Sequence, residues 1–243
     1  VWYHPGDSLT SPMDTAIHES YHGVSHTNWH MLTCYLEDGW LLEIPETEIY
    51  LSEEMTVLIP EEYRTFRFEP YVAPGADPSS NLSGIYGLMN EFNAYQSGMN
   101  HDVSMFDYYC AQTQGFDVWW EYIIGCENNV QAYAEFRYYI LTYLIYAKDN
   151  YPEIYEELMD NTALRYAFTV VDANFQEDIA QYLADLDRLA KGEIPGLPSM
   201  NISDESVWCD GHGMGRFISD YWMLMEVMES PEYTEIYEAF LIQ

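Results

Sequence analysis

The spacing of apolar positions changes twice along the first third of the chain. Ser11, Pro12 and Asp14 form a helix-start signal: a capping residue, a proline suited to the first turn, and an acid where a capping box wants one. The pattern predicts a helix over residues 12–36, with Gly39 near its end. Residues 1–9 are short and aromatic and fit an edge strand. Over residues 40–58, Leu42, Ile44, Ile49, Leu51 and Val57 are interrupted by acids and by Pro45, which predicts short strands or extended segments. Residues 60–72 give no clear period. Residues 73–84, rich in Pro, Gly, Ser and Asn, form the clearest loop.

Beyond that loop the period is helical. Helices are predicted over 82–97, 101–112, 128–148, 152–159, 163–175 and 178–190. A Gly/Pro loop at 192–199 and an irregular segment then lead to two last helices, 217–228 and 231–241. No repeat or shift of composition marks a boundary. The expected architecture is one domain over 1–243, mainly α with a small N-terminal β-sheet. Residues 1–115 form its site-bearing core, and 116–243 a helical extension packed on it. The aromatic run Trp119, Trp120, Tyr122, Tyr133, Phe136, Tyr138, Tyr139, Tyr143 and Tyr146 has mostly helical spacing and reads as core. The longest strongly apolar stretch, 138–147, is too short to span a bilayer, so no membrane insertion is expected.

Composition narrows the function classes. A chain of 243 residues that is 48% hydrophobic and 16% aromatic can bury a sizeable core and is not a disordered tail. The net charge is -33, with Lys148, Lys191 and six arginines as the only fixed cations. Such a surface repels phosphate backbones and anionic lipid, which argues against nucleic acid as a partner. It keeps the chain soluble and favours cationic or neutral substrates. Cys34, Cys110, Cys126 and Cys209 contain no C-x-x-C pair, so disulfides and buried thiols both stay open. Sequons occur at Asn81 and Asn201, a triplet common by chance. The chain starts at Val1, and together with the acidity and low lysine content this gives the expectation of a processed, extracellular or cell-surface protein.

One motif carries chemistry. Residues 18–22 read His-Glu-Ser-Tyr-His. Positions four apart on a helix share a face, so His18 and His22 can reach one ion. Neutral imidazoles suit zinc, and an open coordination position activates water. Glu19 stands beside the ion rather than on it, where it can take a proton as general base. Two histidines need a third ligand. The metzincin arrangement is excluded, because Asn28 stands where its third histidine would be and Ser25 where its glycine would be. His26 and His30 continue the four-residue spacing. The stripe drifts by about 40° per step, which turns His30 away; both read as helix-packing or hydrogen-bonded histidines, with His26 as a third ligand the alternative.

The segment Gly87-Leu88-Met89-Asn90-Glu91-Phe92-Asn93-Ala94-Tyr95 resembles the glutamate helix of thermolysin-like enzymes, and its Glu-Phe-x-Ala part resembles that of the anthrax lethal factor group. Both belong to the gluzincin class of zinc peptidases. The resemblance covers about two dozen residues. It implies a zincin-like catalytic core, one zinc per chain held by His18, His22 and Glu91, and hydrolysis of peptide bonds in a peptide or protein substrate. Where thermolysin-like enzymes place an aspartate that steadies the first histidine, this chain has Tyr95; a tyrosine hydroxyl or another acid can serve there. Tyr95 and His212, the latter in a glycine-flanked loop, are the candidates to support an oxyanion. Arg216 reads as a structural ion-pair partner. The rival readings are a zinc-binding or substrate-binding protein without turnover on a peptidase scaffold, and a helical domain whose H-E-x-x-H is accidental.

Overall fold

The first helix, α1 (Thr10–Ser25), ends at Ser25 and not near residue 36. In this computed structural model residues 10–25, 30–36, 39–76, 78–112, 116–209, 211–216 and 218–242 are described. The expected edge strand at 1–9, His26 and Asn28, and the side chains of Ser11, Pro12 and Asp14 lie outside them. The early end of α1 has a local cause. Ser25 Oγ donates to the His22 carbonyl at 3.1 Å, a bond that competes with continued helix. Beyond it Leu32, Cys34 and Leu36 bury every second position, the period of a strand.

Strand β1 (Met31–Leu36) pairs antiparallel with β2 (Trp40–Pro45). Leu36 stands opposite Trp40, and Gly39, expected as a helix end, takes φ +80° in the connection between them. His30 is therefore not on the histidine helix. It precedes β1 with φ 59°, and its carbonyl accepts from the Glu46 amide at 3.1 Å.

An extended stretch and two 3₁₀ turns, Ser52–Leu58 and Glu61–Tyr63, follow. The short helices α2 (Phe68–Tyr71) and α3 (Pro78–Leu82) come next, α3 lying inside the expected loop. Then come α4 (Gly84–Ser104), α5 (Phe106–Gln112), α6 (Phe116–Asn150), α7 (Pro152–Asp160) and α8 (Thr162–Lys191). Helix α4 runs on through His101, which the sequence pattern gave to the next helix. Helix α8 is continuous where two helices were expected, because no Gly or Pro interrupts it. The Asn161 side chain caps its start, accepting from the Leu164 amide at 3.1 Å. The irregular segment is a three-stranded antiparallel meander of β3 (Asn201–Ile202), β4 (Ser206–Cys209) and β5 (His212–Gly215). Helices α9 (Ser219–Met228) and α10 (Pro231–Phe240) close the chain. The architecture is mainly α with a small N-terminal sheet and a second small sheet near the C-terminus.

Helix α4 is the axis of the core. It packs against α1, α6, α8 and β1. Gly87 allows a further close approach, since a Cβ there would lie 2.4 Å from the Ser79 carbonyl oxygen of α3. Most of the aromatic run is core: Trp119, Tyr122, Tyr133, Phe136, Tyr138, Tyr139 and Tyr143 are buried, while Trp120 is exposed. The four cysteines are free thiols, and burial pushes Cys34 up to about 12. Asn81 is buried and bonded to Glu53 through both ends of its amide, so its sequon is closed to glycosylation. Among the described residues no helix is long and apolar enough to cross a membrane.

Candidate metal centre

Helix α1 sets His18 and His22 one above the other, four residues apart. Their Nε2 atoms are 3.0 Å apart and their ring centroids 4.8 Å. Helix α4 crosses beneath them. This helix buries an unusual set of polar side chains: Asn90, Glu91, Asn93, Gln96 and Ser97. Asn93 fixes its rotation. Its side chain accepts from the Tyr35 amide and donates to the Tyr35 carbonyl, both at 3.0 Å, clamping α4 to β1. At about 100° per residue, Glu91 then projects on a different face from Asn93, toward α1. Its Oε2 lies 3.5 Å from His18 Nε2 and its Oε1 3.5 Å from His22 Nε2.

Burial alone would push the Glu91 carboxyl up. Hydrogen bonds and charge from His18 and His22 outweigh it and hold the group below its ordinary value. His22 is raised, chiefly by its hydrogen bond to Glu91 and against its own burial. The charges of Glu91 and Glu19 and the Asn90 side chain add to the effect. The contact of Glu91 Oε2 with His18 Nε2, at 3.5 Å, is long and poorly aligned for a hydrogen bond, and His18 Nδ1 has no partner among the described residues.

The trio is a group that can hold a metal ion. Zinc–ligand bonds of about 2.0–2.2 Å imply ligand atoms roughly 3.3–3.6 Å apart. The two Nε2 atoms, 3.0 Å apart, are a little closer than that, and each lies 3.5 Å from a different Glu91 oxygen; one ligand atom from each residue lies within 4.8 Å of the others. Among the described residues this is the one His/Cys/Asp/Glu group so arranged. Glu61, Glu62 and Glu69, exposed on the preceding segment, are not part of it. Two imidazoles with one carboxylate also match zinc's preference for mixed nitrogen and oxygen donors.

A second layer backs the trio. The Tyr95 ring packs edge-on against His18, with centroids 4.4 Å apart. Its hydroxyl pairs with Tyr71 at 3.0 Å, so Tyr95 steadies His18 by packing and not by a hydrogen bond to Nδ1. Burial pushes the Tyr71 hydroxyl well above its ordinary range, and the neighbouring Tyr95 and Glu91 add to this. The Arg67 guanidinium lies 4.5 Å from the Tyr95 ring centroid and is itself anchored by Glu135 at 2.7 Å. Tyr71 and Arg67 escaped the sequence reading because residues 60–72 show no period. The one available signal was a rare arginine in a chain so poor in cations.

Glu19 follows His18 on α1 and is exposed, with its charge felt at His22. His212 lies exposed on β5, paired with Cys209. It belongs to the meander, which leans on α8 through β3, and the trio does not include it. Arg216 is a structural cation: its Nε donates to buried Glu127 at 2.5 Å. Comparison with known protein families, curated proteins and solved structures finds no match for this chain.

Proposed function

We propose that His18, His22 and Glu91 hold one zinc ion and that the chain hydrolyses peptide bonds, as its resemblance to gluzincins implies. The observation that carries this reading is the convergence of two imidazoles from α1 and one buried carboxylate from α4, each Nε2 lying 3.5 Å from a Glu91 oxygen. Bound there, zinc supplies a Lewis acid that activates water and polarises a carbonyl. Glu19 is the proton carrier: exposed and next to His18, it accepts a proton from the attacking water and returns it to the leaving amine. Asn93 and the Tyr95 ring hold the ligand helices in place. The Tyr95–Tyr71 hydroxyl pair, whose Tyr71 feels the Glu91 charge, takes the role of oxyanion support ahead of His212.

The test is a peptide-mixture digest followed by mass spectrometry, on zinc-loaded protein and on Glu19→Gln. Glu19→Gln keeps the shape of the side chain but cannot take the proton. Cleavage should fall at least about a hundredfold while zinc is retained. Undiminished cleavage by the variant would remove Glu19 from its role, and absence of cleavage by the zinc-loaded wild type would remove the peptidase reading.

A further inference from the structure

Helix α1 has a second flank. Ile17 and Tyr21, each next to a histidine of the trio, face a half-open cavity of about 490 Å³ that the metal reading does not use. Tyr35 of β1 and Gln96 and Asn100 of α4 complete the wall that matters here. The two amides are oriented by one buried acid: Gln96 Nε2 donates to Asp178 Oδ2 at 3.0 Å and Asn100 Nδ2 to Asp178 Oδ1 at 3.2 Å. With both amide nitrogens committed to Asp178, the two carbonyl oxygens turn away from it. Among the described residues nothing donates to either oxygen. The rings of Tyr21 and Tyr35 meet edge-to-face at 5.4 Å, so the same wall offers aromatic surface.

Each of these features favours the same ligand chemistry. Amide carbonyls polarised by a carboxylate accept hydrogen bonds, and aromatic rings attract cations within about 6 Å. The wall contains no lysine or arginine, and His101 is its one histidine. The net charge of -33 draws cations toward it. We infer that the cavity between α1, β1 and the C-terminal half of α4 binds a chain-borne ammonium or guanidinium group, its charge on the Gln96 and Asn100 carbonyls and its methylenes against Ile17 and the tyrosine rings. This site stands apart from the metal reading and holds whether or not the trio carries zinc.

Titration calorimetry at pH 8 in 0.15 M NaCl tests it on the full chain. The probes are N-acetyl-lysinamide, N-acetyl-argininamide, n-butylammonium and the neutral N-acetyl-norleucinamide. The cationic probes should saturate one site, at least about tenfold more tightly than the neutral one. Tighter binding of the two amides than of n-butylammonium identifies a peptide side chain as the ligand, and equal binding a free amine; both keep the cation site. Asn100→Lys, at an exposed position beside Asp178, places a competing cation in the cavity and should weaken binding at least about tenfold. Tyr35→Leu, also exposed, should weaken it less while leaving the Asp178 bonds intact. Equal binding of the neutral probe would overturn the inference. So would non-saturating binding that Asn100→Lys leaves unchanged, since that is only the counterion atmosphere of an acidic surface.

Discussion

Two buried glutamates in this core meet opposite circumstances. Glu135 of α6 is complete: its carboxylate accepts from Arg67 Nη1 at 2.7 Å, from the Arg67 amide at 2.9 Å and from Thr65 Oγ1 at 2.6 Å. Glu91 of α4 faces two imidazoles at 3.5 Å and leaves Oε2 without a hydrogen bond. The first is an ion pair with a fixed cation. The second is a carboxylate whose partners can shed their protons and whose geometry leaves room for an ion. Burying a carboxylate is costly unless hydrogen bonds or a counter-charge compensate it. At Glu135 the compensation is a fixed guanidinium; at Glu91 it comes from titratable imidazoles, which the account assigns to holding an ion.

The largest expected effect exploits that contrast in the metal-free protein. Glu135→Gln leaves Arg67 charged in the core, because a guanidinium cannot deprotonate. Urea unfolding should show a loss of about 3–5 kcal/mol. The next effect is metal-dependent. Zinc at about 100 to 1,000 times its dissociation constant should stabilise the wild type by about 2.7–4.1 kcal/mol. Glu135→Gln, if it still folds, should gain the same increment, and His22→Ala little of it. The smallest effect is Glu91→Gln without metal. His22 loses the partner that raises it once the carboxylate is gone and can shed its proton, so the change should stay near about 1 kcal/mol. Equal destabilisation by Glu91→Gln and Glu135→Gln would erase the distinction between the two sites.

How much of this was legible follows from where each residue sits. The four-residue spacing of His18 and His22 is a property of one helix and needs no tertiary information. Glu91 was reachable only through resemblance, since one acid among 41 carries no mark of its own. What singles it out is burial beside Asn90, Asn93, Gln96 and Ser97 on α4, which depends on four elements closing around that helix. The run from α1 into β1 was misread because Leu32 and Leu36, four apart, also fit a helical face, and the strand pairing with β2 is a tertiary fact. Helix α8 was cut in two by a lapse in apolar spacing around Gln176 and Glu177, although no residue there breaks a helix. The meander was hidden by its length: strands of two to four residues with glycines leave no period to read.

The central claim is that the trio on α1 and α4 is a metal site. Elemental analysis tests it most directly, on protein purified without added metal, comparing wild type with His22→Ala and with Glu91→Ala. The account predicts close to one zinc per wild-type chain, with affinity lowered by orders of magnitude in both variants. A wild type without bound metal that also fails to take up zinc, or full zinc occupancy in both variants at low free metal, would contradict it.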